Sequence, residues 1–191
     1  MAIIRTVAEA DATGAVAKHY RRDVATRGRV TTDTQAMLLN LPAYEAWEAL
    51  IGAIARPLGM RRYELVTLAA AGALRSQACR LAHGVKSLAL FDEQQLERIA
   101  RDYHDADLTE AEVAIMEFAE KLSTDSSAMT EADSLRLREL GLSDEDIVNV
   151  ALAAAARNYY SRALHALAVD VDVPDRLSPE LRDALAGPIA S

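Results

Sequence analysis

A chain of 191 residues is long enough for one well-buried core, and no Pro-, Gly- or Ser-rich linker divides it, so a single domain over 1–191 is expected. A net charge of −8 argues against a nucleic-acid partner, because phosphate binding needs a basic face. Hydrophobic content is 51% with only 5% aromatic, which leaves Ala, Leu and Val to build the core and favours helix packing over sheets. The apolar pair Ile3–Ile4 is broken by Arg5, far short of a signal-peptide core. No segment approaches the roughly 20 apolar residues of a membrane span, so no membrane partner is expected. The single cysteine, Cys79, cannot form an intramolecular disulfide or a Cys-rich metal site, and it suits a reducing cytoplasm.

In chain order every strong local signal is helical. Thr13 to Arg27 reads as an amphipathic helix stopped by Gly28, with Lys18, Arg21, Arg22, Arg27 and Arg29 as a solvated basic face. Pro42 opens a second helix that carries Trp47 and ends near Pro57. Met60 to Leu74 and Ser76 to Leu90 form a tandem pair. Asp92 with Gln95, and Thr109 with Glu112, read as capping boxes for helices reaching Arg101 and Ser123. Thr130 starts a helix that Gly141 closes. Ser143 caps another running to about Ala156, Asn158 to Val169 follows, and Ser178-Pro179-Glu180 begins the last. No useful period-2 alternation occurs, so the expected class is all-α.

One spacing occurs twice, at an offset of 82 residues. Glu64, Ser76, Cys79 and His83 are matched by Asp146, Asn158, Ser161 and His165, with Arg75 matched by Arg157. The Ala runs at Ala69–Ala73 and Ala153–Ala156 fall in equivalent places and allow close backbone approach. This reads as two repeated helical units, about 42–101 and about 124–173, inside one multihelical bundle.

With a helix starting at Ser76, that hydroxyl becomes the N-cap and Cys79 the third helical residue, beside unpaired N–H groups that favour a thiolate. His83 lies one turn on, in reach of Cys79 directly or through a water, and Glu64 can orient it. A structural reading stands beside this one. Ser76 and Asn158 are both good caps, and a lone buried cysteine is usually inert. Glu110, Glu112, Glu117 and Glu120 lack a Glu-x-x-His partner, and no HExxH or phosphate loop occurs, so no metal or cofactor is expected. Tyr44, Trp47, Tyr159 and Tyr160 can line a pocket, pack the core or meet a second subunit.

Glu64 followed twelve residues on by position 76 and then xxCxxxH resembles the alkyl hydroperoxidase D and carboxymuconolactone decarboxylase superfamily, whose motif reads E, then CxxCxxxH. ATGAVAKHY, ADLTEAEVAIMEFAEKL, MTEADSLRLRELGLSDEDIVNVALAAAARNYYSR and ALAVDVD are similar to its peroxidase-related group, over roughly Thr13 to Val173. The resemblance implies a two-repeat multihelical fold and a homo-oligomer. It also implies catalysis by Cys79, with His83 and Glu64 as its proton relay. Ser76 stands where the family has its first, resolving cysteine, so regeneration would need an external thiol reductant. The expected function is a cytoplasmic thiol-dependent peroxidase acting on a small organic hydroperoxide. The alternatives are an acid–base lyase or isomerase using His83 and Glu64, and a non-catalytic oligomeric scaffold.

Overall fold

The computed structural model describes residues 4–187; the expectations that fall on Met1–Ile3 and on residues 188–191 lie outside them. Among the described residues there are ten α-helices, short 3-10 turns and no strand. They are α1 (Gly14–Arg27), α2 (Thr32–Met37), α3 (Leu41–Leu58), α4 (Met60–Ala73), α5 (Gln77–Ser87), α6 (Glu93–Arg101), α7 (Glu110–Asp125), α8 (Glu131–Glu139), α9 (Asp144–Ala166) and α10 (Pro179–Ala186). The all-α expectation holds. None of these helices is long and apolar enough to cross a membrane.

Helix α4 is the centre. Every residue from Tyr63 to Ala71 is buried, so the helix presents no polar face and is packed on all sides. It lies against α5, α7 and α9, while α3 and α7 flank α9. Ala69, Ala70 and Ala71 are fully buried, as are Ala153 and Ala154 on α9 to within one percent. These small side chains let the two backbones close on each other, as the Ala runs imply. Helix α10 seats on α5 and α6. There Arg80, buried without a carboxylate, donates to the carbonyls of Ala100 and Gly187. Burial lowers its pKa to about 10. A Cβ on Gly84 would stand 2.3 Å from Leu185 Cδ1, so a larger residue there makes the Leu185 side chain shift.

The termini show where local chemistry decided the chain path. Thr109–Glu112, Thr130–Asp133 and Ser143–Asp146 form full capping boxes. Asp92 makes half of one: its carboxylate accepts from the Gln95 amide at 2.7 Å, while the Gln95 side chain turns to the carbonyls of Ala106 and Asp107. The largest difference from expectation is α9. The two helices read on either side of Arg157 are one helix of 23 residues. Asn158 is not a cap; its side-chain amide donates to the Ala154 carbonyl at 2.9 Å and to the Ser123 hydroxyl at 2.8 Å. The basic face of α1 is likewise more than solvated. Arg22 pairs with Glu48, Arg27 with Asp23 and Asp33, and Arg29 with Asp172.

Candidate active site

The first repeated segment breaks where the second does not. After α4 the Ser76 amide donates back to the Ala71 carbonyl at 2.8 Å and the Arg75 amide to Gly72 at 2.8 Å, with Arg75 at φ 54. This is a Schellman closure, with Arg75 taking the left-handed position. It ends one helix and starts the next within three residues, leaving Cys79 as the third residue of α5. Ser76 does occupy the N-cap position, yet its hydroxyl makes no capping bond and, 1% exposed, has no hydrogen-bond partner. The expected capping role is corrected: at ψ 87 its backbone departs from the extended geometry that aims a cap side chain at its own helix.

Cys79, His83 and Glu64 are all buried, at 3%, 3% and 0% exposure. His83 Nδ1 lies 2.6 Å from Glu64 Oε2, so Glu64 orients the imidazole as expected. The other ring nitrogen makes no hydrogen bond to the thiol. Arg157 Nη2 stands 2.7 Å from His83 Nε2, and Arg157 Nη1 donates to Cys79 Sγ at 3.4 Å. A guanidinium has only donors, so Nε2 must be the acceptor and the ring proton sits on Nδ1, donated to the Glu64 carboxylate. Cys79 and His83 are therefore joined through Arg157. A second donor reaches the sulfur: the Ser161 hydroxyl, at 3.2 Å.

The charges follow from this burial. Desolvation, then the positive charges of Lys86, Arg157 and Arg27, hold His83 well below the ordinary imidazole range, so it is neutral. Burial pushes Glu64 up to about 7, against the pull of Lys86 and Arg157. Arg157 is wholly buried and makes no ion pair with a carboxylate among the described residues, and its Nε has no partner. Burial pulls its pKa down, and the interactions with Cys79, Tyr63 and Tyr160 outweigh that and raise it.

Cys79 and His83 open onto a cavity of about 1070 Å³, whose wall includes Tyr44, Trp47, Tyr160, Arg27 and Lys86. Trp47 and Tyr160 stack at 4.3 Å between ring centroids, and the Tyr160 hydroxyl donates to Asp33 at 2.9 Å. Three of the four aromatics noted in the sequence thus line this space, and Tyr159, 51% exposed, does not. The acidic residues of α7 serve elsewhere: Glu112 pairs with Arg61, Glu117 with His104, and Glu120 accepts from Tyr103. No group of three His, Cys, Asp or Glu among the described residues is placed to hold a metal ion.

Sequence reasoning missed Arg157 and Ser161 as site residues. The signal was present: both belong to the second copy of the repeated spacing, and Ser161 is the position matched to Cys79. Ser161 and Cys79, 82 residues apart, touch each other, so at this one matched position α9 meets α5.

No protein-family model and no curated protein sequence matches the chain. Solved structures do. An uncharacterized peroxidase-related protein from Ralstonia eutropha JMP134, with an alkylhydroperoxidase AhpD core, superimposes with a TM-score of 0.79 at 20% identity, over 98% of this chain and 97% of that one. This is the AhpD-like fold. An uncharacterized peroxidase-related protein from Silicibacter sp. TM1040 matches with a TM-score of 0.77 at 23% identity, over 87% of this chain and 90% of its own. A protein of unknown function from Agrobacterium tumefaciens matches with a TM-score of 0.60 at 23% identity, over 69% and 91%. At these identities the AhpD likeness is one of architecture, and chemistry rests on the residues around Cys79.

Proposed function

We propose that this protein is a thiol-dependent peroxidase that reduces a small organic hydroperoxide through Cys79. The observation that carries the reading is the pair of donors on Sγ, Arg157 Nη1 and Ser161 Oγ, at the start of a helix. Two donors, one of them a buried cation without a carboxylate, fit a sulfur that bears negative charge. The thiolate attacks the terminal peroxide oxygen: an S–O bond forms, the O–O bond breaks, and the departing alkoxide takes a proton from solvent. The product is Cys79 sulfenic acid. Ser76 cannot condense with it, so an external thiol forms a mixed disulfide with loss of water. A second thiol then releases Cys79 and leaves as the disulfide. The lone cysteine and this need for a thiol pool suit a reducing cytoplasm.

Arg157 also weighs against the lyase alternative. It occupies His83 Nε2, the nitrogen that an acid–base mechanism would need free. The test is intact mass after one equivalent of cumene hydroperoxide, followed by an external thiol. A sulfenic acid on Cys79, absent in Cys79→Ser and reversed by thiol, is the expected result. An inert Cys79 would overturn the proposal and return the buried Glu64–His83 pair to the leading role.

A further inference from the structure

Helix α9 has two faces with opposite fates. Arg157 and Ser161 point inward to Cys79, while Glu145, Val148, Leu152, Ala155, Tyr159 and Arg162 lie exposed on the reverse. At 100° per residue these six fall within about 100° of arc, one straight stripe some 25 Å long. Its apolar members are unusually open, with Val148 at 56%, Leu152 at 44% and Tyr159 at 51% exposure. The order of residues along the stripe is self-complementary. Read inward from its two ends, Glu145 meets Arg162, Val148 meets Tyr159, and Leu152 meets Ala155.

We infer that this face of α9 is a pairing surface for a second copy of the chain, docked antiparallel about a two-fold axis passing between Leu152 and Ala155. Only a copy presents the same sequence in reverse, so only a copy brings all three pairs into register at once. The alternating spacing of three and four residues along the stripe is the knob spacing of an antiparallel helix pair. Across the axis the large Leu152 faces the small Ala155. Beside Ala155 runs a groove between α9 and residues 122–127, lined by Leu122, Ser127 and Asn158, which receives Leu152 of the second copy. The end charges fix the direction. Glu145 makes no ion pair among the described residues, and Arg162 has only long bonds, to Asn158 at 3.3 Å and to the Ser123 carbonyl at 3.4 Å. A parallel arrangement would set Glu145 against Glu145 and Arg162 against Arg162. The antiparallel one pairs opposite charges at both ends, which selects register more than it adds affinity.

Sedimentation equilibrium of the full chain tests this. Wild type is expected at twice 20.7 kDa, and Leu152→Glu at 20.7 kDa with unchanged helical circular dichroism. Glu145→Arg and Arg162→Glu should each weaken the dimer about tenfold, because each places like charges together at both ends. The double variant Glu145→Arg/Arg162→Glu should recover wild-type association, which no loss of folding could imitate. A monomeric wild type overturns the inference. A dimer indifferent to Leu152→Glu places the interface on another face and overturns it too. Single reversals without effect, or a double variant no better than the singles, overturn the antiparallel register.

Discussion

The segment Glu64–His83 and the segment Asp146–His165 share a spacing and almost nothing else. In the first, the chain breaks at Arg75 and restarts, so Cys79 meets the free end of a helix. In the second the helix runs unbroken, and the matched positions deliver side chains instead of a helix end. Arg75 is exposed at the turn, whereas its counterpart Arg157 is 2% exposed and bonded to both Cys79 and His83. Glu64 is fully buried against His83, but Asp146 stays at its helix start, capping with Ser143 and pairing with Arg62. His165 is exposed. One site is thus assembled from unlike contributions: the first segment supplies nucleophile and orienting acid, the second supplies the cation.

The sharpest way to break that division is to remove the cation. Arg157→Met keeps an unbranched apolar stem and deletes both donors. Loss of a preorganised donor of this kind costs about a hundredfold in rate. Reaction of Cys79 with peroxide, and its alkylation by iodoacetamide at neutral pH, should both slow by that order. The melting temperature should fall as well, because buried His83 Nε2 and Cys79 Sγ lose a donor, so the rates are compared at a temperature where circular dichroism shows the variant folded. Ser161→Ala should slow the same reactions less. If Arg157→Met reacts at the wild-type rate, the thiol needs only its helix end and the second segment is structural.

The acid of the first segment gives a pH signature. The Glu64 pKa rises from 4.5 to about 7 on folding, chiefly by burial, so between those values the folded state holds a proton that the unfolded chain has released. Stability from this group is therefore full below pH 4.5 and is lost as pH rises toward 7. Activity should move the opposite way. Protonated Glu64 donates to His83 Nδ1, which shifts the ring proton to Nε2 and expels the Arg157 bond there. The peroxide reaction of Cys79 should then rise through an inflection near 7, and Glu64→Gln, whose amide oxygen still accepts from Nδ1, should flatten that inflection and the matching slope of melting temperature. A profile identical in wild type and Glu64→Gln would separate Glu64 from the reaction.

How much of this was legible in the sequence depends on the kind of signal. Capping chemistry is local, and Thr109, Thr130 and Ser143 begin their helices as read. Glu64 and His83 were legible because a fixed spacing on two consecutive helices brings them face to face. Two things were not. Whether the chain breaks at Arg75 or continues past Arg157 depends on packing: Tyr160 is held by Trp47 and Asp33, and Asn158 by Ser123, contacts from three other elements. The inward turn of Arg157 is a tertiary contact across 78 residues, which a matched arginine in the repeat hints at without assigning a direction.

Position 76 sharpens the comparison from the chemical side. Ser76 lies three residues before Cys79, a separation that brings Cα atoms to about 5.5 Å, within disulfide range. Ser76→Cys should close an internal disulfide after peroxide treatment and turn over with a dithiol, while wild type waits for an external thiol. Failure to form that bond, seen as a persistent sulfenic acid in the variant, would mean that the break at Arg75 holds the two side chains apart.

The smallest effect separates two serines that the sequence makes look alike. Both stand at helix N-caps, but the Ser143 hydroxyl accepts from the Asp146 amide at 3.1 Å and the Ser76 hydroxyl accepts from nothing. Ser143→Ala should therefore cost about 1 kcal/mol, the usual loss of a capping bond. Ser76→Ala removes a buried hydroxyl that has no partner, so it relieves a desolvation cost and should be neutral or stabilising by about 1 kcal/mol. Urea midpoints at constant slope read both values directly. Equal destabilisation by the two substitutions would show that Ser76 caps α5 in solution after all. Cys79 would then owe its place at the helix start to that cap, and the backbone closure at Arg75 would be its consequence.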